Sequence, residues 1–272
     1  MKNRIQQTFD TLEQRREKAF IAYIMAGDPD MKKTLIYAQA LIKGGADIIE
    51  LGMPFSDPIA DGPTIQKAAQ RSLRATTTIT KIFRLITTLR RTSEIPLILM
   101  GYINPVIKYG VERFFEDASR CGADGVIFPD LPLEEIGLVQ RFAEQSEIAV
   151  ILLAAPTSDR KRLLELSRQT KGFLYYISMT GVTGSSRAIS TRAFADVRWI
   201  RQHIQKPVAV GFGISLPHQA HEVARHADGI VVGSAFVQLI ENGRNVPDKL
   251  AVLSRLLRNA ANGRLPRNIS TS

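Results

Sequence analysis

The chain has 272 residues, 44% hydrophobic and 23% charged, which describes a globular protein with a large core and is long for one ordinary domain. No apolar run nears the roughly 20 residues of a membrane span, and residues 1–9 lack the apolar stretch of a secretion signal. The net charge of +10 would suit nucleic acid or an anionic membrane, but it is dispersed, with no basic stretch interleaved with aromatics and only 7% aromatic residues; this argues against nucleic acid and for attraction of a small phosphorylated substrate.

From the N-terminus, Ile5, Phe9 and Leu12 fall at i, i+4, i+7 and predict an extra helix that plugs the bottom of the fold. Eight apolar, strand-like runs come next, at residues 20–25, 48–51, 97–100, 125–128, 149–153, 173–177, 208–211 and 230–232. Amphipathic stretches separate them. Residues 31–42 carry Leu35, Ala38, Leu41 and Ile42, and residues 78–90 carry Ile79, Ile82, Phe83, Ile86 and Leu89. Residues 158–168 open on the cap-like pair Ser158-Asp159 and carry Leu163, Leu164 and Leu166. One phrase recurs: Gly44-Gly-Ala-Asp47, Gly122-Ala-Asp124 and His226-Ala-Asp228 each close a helical pattern and precede an apolar run. Strands alternating with helices predict a parallel sheet. About eight such units indicate an α/β fold of the (β/α)8 TIM-barrel type, of which about 250 residues is the usual length; a doubly wound open sheet is the structural alternative. No linker divides the chain, so residues 1–272 read as one domain, with a core at about 15–262 and a frayed tail at 263–272. The only cysteine, Cys121, forms no intrachain disulfide, fits a reducing cytoplasm, and reads as a packed small residue.

The stretch from Glu50 to Gln66 concentrates the chemistry. Glu50 closes the second strand run, and Pro54, Pro58 and Pro63 stiffen a loop that holds Asp57 and Asp61. Active sites of such barrels lie at the C-terminal strand ends. Alternation puts Ile48, Glu50 and Gly52 on one face, so if that face is interior Glu50 points into the barrel mouth and Gly52 above it leaves room for a ligand. An acid there is costly unless paired or protonated, and burial would raise its pKa toward the range of a group that gives and takes protons. Spacing alone does not separate Asp57 from Asp61. Gly211-Phe-Gly213-Ile-Ser215 and Gly233-Ser234-Ala235 follow the seventh and eighth strands, where backbone N–H groups and a helix start suit a phosphate. The run from Ser178 to Arg187, with Gly181 and Gly184, reads equally as a mobile lid or a surface loop. Tyr175, Tyr102 and Asn104 default to packing. The histidines His218, His221 and His226 have no carboxylate at ligand spacing, so no metal site is expected.

The segment Ala46-Asp-Ile-Ile-Glu50-Leu-Gly-Met-Pro-Phe-Ser-Asp-Pro-Ile-Ala-Asp61-Gly-Pro-Thr-Ile-Gln66 resembles the signature of the tryptophan synthase alpha chain family. Gly181-Val-Thr-Gly184, Gly211-Phe-Gly-Ile-Ser215 and Ala26-Gly-Asp-Pro29 also match it, and the resemblance covers roughly residues 5–262. It implies a lyase that cleaves indole-3-glycerol phosphate to indole and glyceraldehyde 3-phosphate by a cofactor-free retro-aldol reaction. Glu50 would be the general acid–base, and Asp61 would accept from the indole N–H. Tyr175 would lie near the acid–base, and Gly184, Gly213, Gly233 and Ser234 would hold the phosphate. Tyr102 and Phe212 would lie near the indole or the phosphate turn, Tyr23 stands where the family often has Phe, and Thr183 would bond Asp61 on closure. The family works as an α2β2 complex with a beta chain that carries the PLP; Pro54, Asp57, Pro58, Asn104 and Pro105 would face that partner. Met179, where many relatives have Arg, Ser or Thr, and the basic balance depart from the family. Two other readings are a non-catalytic subunit and a different phosphate-binding barrel enzyme; a Schiff-base aldolase is disfavoured because none of the eight strand runs contains a lysine.

Overall fold

The computed structural model describes residues 3–177, 191–211 and 213–265. Its elements, from the N-terminus, are α1 (Arg4–Gln14), β1 (Ala19–Met25), α2 (Met31–Lys43), β2 (Ile48–Gly52), α3 (Pro63–Arg74), α4 (Ile79–Arg90), β3 (Leu97–Met100), α5 (Ile103–Tyr109), α6 (Val111–Cys121) and β4 (Gly125–Ile127). A 3-10 turn (Leu133–Glu135) leads into α7 (Gly137–Gln145), β5 (Ala149–Ile151), β6 (Leu153–Ala154), α8 (Arg160–Gln169), β7 (Leu174–Ile177), α9 (Thr191–His203), β8 (Val208–Gly211), α10 (Pro217–Ala224), β9 (Gly229–Val232), α11 (Ser234–Asn242) and α12 (Val246–Ala261). Helix starts follow the cap chemistry of the sequence: Asp30 accepts from Lys33 N at 2.8 Å, and Asp159 from Arg162 N at 2.7 Å.

All strand pairs are parallel, in the order β5-β4-β3-β2-β1-β9-β8-β7-β6. The two ends of that order are consecutive in the chain, so a nearly closed barrel of nine strands results. The fifth sequence-derived strand is two strands because the Leu152 N–H donates to Thr170 Oγ1 at 3.0 Å instead of to a strand carbonyl. The Leu152 carbonyl still accepts from Tyr175 N at 3.1 Å, which carries the wall past the break.

Period-two alternation sorts the strands into two buried layers. Ile21, Ile48, Ile98, Ile127, Ile151 and Val231 point inward and pack with Ile5, Phe9 and Leu12 of α1. Phe20, Ile49, Leu97, Leu99 and Val210 point outward, against the helices. The N-terminal helix plugs the base as its periodicity predicts. Ile5 occupies space left by two glycines: a Cβ on Gly125 or Gly172 would come within 2.9 Å of it.

The recurrent Ala-Asp phrase is a staple at the base of the barrel. Asp47 accepts from Phe20 N at 2.9 Å, Asp124 from Leu97 N at 2.8 Å, and Asp228 from Val208 N at 3.0 Å. Each carboxylate thus grips the start of a preceding strand, and each faces a cation. Arg258 meets Asp47 at 3.3 Å, Arg4 and Arg90 meet Asp124, and Arg201 meets Asp228 at 2.8 Å. Part of the unusual basic balance is spent in this ring. Arg264, which the sequence places in the tail, is tied back through its N–H to Asn259 O at 2.8 Å and through its guanidinium to Glu17 at 3.2 Å.

Candidate active site

Parallel register places the inward residues of the upper barrel in one belt. Glu50 lies beside Tyr23 on β1 and Ile98 on β3, and Tyr175 on β7 lies between Leu153 and Ala209. Small residues make room for the tyrosine rings. A Cβ on Gly52 would lie 2.2 Å from the Tyr23 hydroxyl, and one on Gly211 would lie 2.8 Å from the Tyr175 hydroxyl. The space expected at Gly52 for a ligand is instead filled by the Tyr23 ring.

Glu50 is fully buried, and neither carboxyl oxygen has a hydrogen-bond partner among the described residues. Burial, helped by the nearby charge of Asp61, pushes its pKa up to about 8. Asp61 sits in the loop before α3, and burial raises its pKa to about 6, opposed by a hydrogen bond from Tyr102. Gly62 caps α3, with Pro63 at its first position, so Asp61 is free of helix capping. Its backbone carbonyl accepts from the Gln66 side chain at 2.9 Å, which fixes the loop to the first turn of α3. The Tyr102 oxygen accepts from Ala60 N at 2.9 Å while its hydroxyl donates to Asp61. Tyr102, expected near the indole or the phosphate turn, thus orients the loop carboxylate; Phe55 packs on its ring at 5.2 Å between centroids.

After β9, which pairs with β1, Gly233 precedes α11 and Ser234 opens it, and no side chain caps this helix start, which leaves its first N–H groups open to an anion. A Cβ on Gly233 would meet the Tyr23 ring at 3.1 Å, so this helix start lies beside the tyrosine that neighbours Glu50. Gly213, after β8, holds a left-handed φ of +62° that favours glycine. Glu50, Asp61, Tyr23, Tyr102, Tyr175, Gly213, Gly233 and Ser234 thus all lie at the C-terminal end of the barrel. Thr183, Gly184 and Met179 of the candidate lid, and Phe212, lie outside the described residues. Met100, half-buried between the barrel core and a small cluster of Tyr23, Met25, Ala68, Ala69 and Val237, joins the wall although no sequence motif marks it; its alternation with Ile98 was the available signal.

The candidate partner residues form a separate patch on the same end. Pro54 and Pro58 are half-buried, Asp57 is exposed, and Asn104 and Pro105 lie in the first turn of α5. Ile59 and Ile107, also on these segments, are 85% and 51% exposed. Asp130 receives the Ile103 N–H at 3.0 Å and anchors the start of α5.

The family model for the tryptophan synthase alpha chain matches residues 9–263. The tryptophan synthase alpha chain of Geotalea daltonii is 48% identical over 257 residues, covering 94% of this chain and 97% of the relative. The crystal structure of tryptophan synthase subunit alpha from Legionella pneumophila superposes with a TM-score of 0.89 at 35% identity, covering 97% of this chain and 100% of that one. A chain in the tryptophan synthase complex from Pyrococcus furiosus gives a TM-score of 0.82 at 36% identity, covering 89% and 98%. With the barrel, the signature loop and these matches spanning nearly its full length, the chain belongs to the tryptophan synthase alpha chain family.

Proposed function

We propose that Glu50 and Asp61 divide the retro-aldol cleavage of indole-3-glycerol phosphate, the lyase reaction of this family, between proton transfer and charge stabilisation. Glu50 in its acid form gives a proton to C3 of the indole ring, which leaves the ring as an indolenine-like cation. Its carboxylate then takes the proton of the hydroxyl next to the ring. The carbon–carbon bond breaks, its electrons return to the indole, and the carbinol becomes the aldehyde of glyceraldehyde 3-phosphate. Glu50 ends protonated as it began, so the balance closes without a cofactor in this chain. Asp61 accepts from the indole N–H and holds a negative charge near the developing positive one. Tyr102 keeps that carboxylate oriented and favours its ionised form. Gly213, Gly233 and Ser234, with Gly184 and Phe212, cradle the phosphate. Tyr23 and Tyr175 flank the proton-transfer group, and Thr183 bonds Asp61 when the site closes.

The observation that carries this reading is a buried carboxyl whose two oxygens have no partner among the described residues, at the mouth of a barrel. Structural acids in such positions are paired; this one has unused hydrogen-bonding capacity and the raised pKa of a proton carrier.

The exposed Ile59 and Ile107, beside Pro54, Asp57, Pro58, Asn104 and Pro105, suit docking of a beta chain in an α2β2 assembly, with PLP in that partner alone. No described helix is long and apolar enough to cross a membrane. We place the protein in the cytoplasm as a single domain, in keeping with a lone buried Cys121 whose thiol burial pushes up to about 11. The test is indole release from indole-3-glycerol phosphate, with and without a beta chain. The expected result is cleavage by the chain alone and marked stimulation by the partner. Full turnover by Glu50→Gln in an active preparation would reject the assignment of Glu50.

A further inference from the structure

An ion cluster around one buried aspartate is not used by the proposed mechanism. Asp28, in the loop after β1, is only 1% exposed. Arg71, on the last turn of α3, grips it with a two-pronged hydrogen bond, Nε to Oδ1 at 2.7 Å and Nη2 to Oδ2 at 2.8 Å. The third nitrogen of the same guanidinium reaches Glu241, on the last turn of α11, at 3.1 Å. One side chain therefore ties the far ends of two helices to one loop.

The near ends of those helices are the two halves of the site. Asp61 is bolted to the first turn of α3 through Gln66, and Ser234 is the first residue of α11. The helices meet in a small apolar cluster, with Ala68 and Ala69 of α3 beside Val237 of α11, so side-chain interdigitation at this point is shallow. Ser72, one residue beyond Arg71, also donates to the carbonyl of Ala26 in the loop after β1, so this end of α3 is held twice.

We propose that Arg71 is a positioning residue that fixes the separation between the indole-binding carboxylate and the phosphate-binding helix start, by holding α3 and α11 to Asp28. The inference rests on the proposed function of the site. A ligand that contacts only one helix start does not sense their separation, whereas a ligand that spans both does. Arg71→Lys keeps one positive charge but cannot serve Asp28 with two prongs and Glu241 with a third. Glu241→Ala cuts only the arm to α11 and removes a side chain on the surface, so its folding is not at risk.

The experiment titrates the full-length chain and both variants with three probes: indole, glycerol 3-phosphate, and 3-(indol-3-yl)propyl phosphate, which spans both halves and has no hydroxyl to cleave. The two fragments bind each variant within about twofold of the parent, while the spanning ligand binds about tenfold more weakly to Arg71→Lys and about threefold more weakly to Glu241→Ala, as small misplacements of paired groups do. Melting curves accompany each titration. If the spanning ligand loses no more affinity than the fragments in either variant, Arg71 only satisfies a buried aspartate and the proposal fails. If the parent chain itself binds neither the fragments nor the spanning ligand, it is the site reading that fails, and the variants are not needed to show it.

Discussion

At the base of the barrel, Asp47, Asp124 and Asp228 each accept a strand N–H and each face a cation; at the mouth, Glu50 is more deeply buried than any of them and has neither. The same side-chain chemistry is therefore put to opposite uses at the two ends. A paired, hydrogen-bonded carboxylate fastens one strand to the next. An unpaired one in low dielectric holds its proton toward neutral pH and can hand it over. The base is organised for stability and the mouth for reactivity, the division expected of barrels of this type.

The strongest test of this contrast is Glu50→Gln. Its indole release should fall by about 100- to 10,000-fold, the usual contribution of a general acid–base. Its stability should rise. In the folded chain Glu50 keeps its proton up to about pH 8, against 4.5 for the free side chain. Between those values the folded state binds more protons than the unfolded state, so stability falls as pH rises. At pH 7 the loss is about 3 kcal/mol, and the glutamine variant escapes it. Denaturant midpoints of the two proteins should differ at pH 7 and converge near pH 4.5; equal midpoints at pH 7 would mean that Glu50 is not held protonated.

Asp61→Asn should lower turnover by about 100-fold or more, because it removes a fixed charge from the transition state; since burial raises the Asp61 pKa to about 6, the variant should also be more stable than the parent at pH 7. At the base the pattern should reverse. Asp124→Asn leaves Arg90 and Arg4 without their anion and should cost about 3 kcal/mol in a denaturant titration, with kcat of the folded fraction unchanged. A base variant that folds normally but loses turnover would undo the division between the two ends.

A pH profile separates the two acids of the mouth from each other. With Glu50 as acid and Asp61 as anion, activity should be highest between about 6 and about 8, with apparent values that belong to the pair. Below the lower limb Asp61 is protonated; above the upper one Glu50 has lost its proton. The smallest expected effect is that of Tyr102→Phe. It removes the hydrogen bond that lowers the pKa of Asp61, so the acid limb should move to higher pH while the alkaline limb stays in place.

Much of this was legible in one dimension. Strand and helix periods located the barrel because each strand is buried on both faces and each helix on one, and the 5, 9, 12 pattern located the plug. Glu50 was visible as an acid at the end of an apolar strand, since burial of a charge is rare enough to be informative. The break at Leu152 was not legible, because it depends on where the Thr170 hydroxyl arrives from a distant turn. Nor was Tyr102 as the partner of Asp61, or Asp28 as the anchor of Arg71, because both link residues about forty positions apart through side-chain geometry.

Local period and backbone chemistry were thus enough to define the repeating unit, the face on which each strand residue lies, and the strand end and loop that carry the two acids. The pairing of the acids needed the closed fold. The Ala-Asp phrase and the Glu50 strand look alike as carboxylates beside apolar runs. Only the assembled barrel brings arginines to the first and withholds every described partner from the second, and desolvation without a partner is what gives Glu50 its proton.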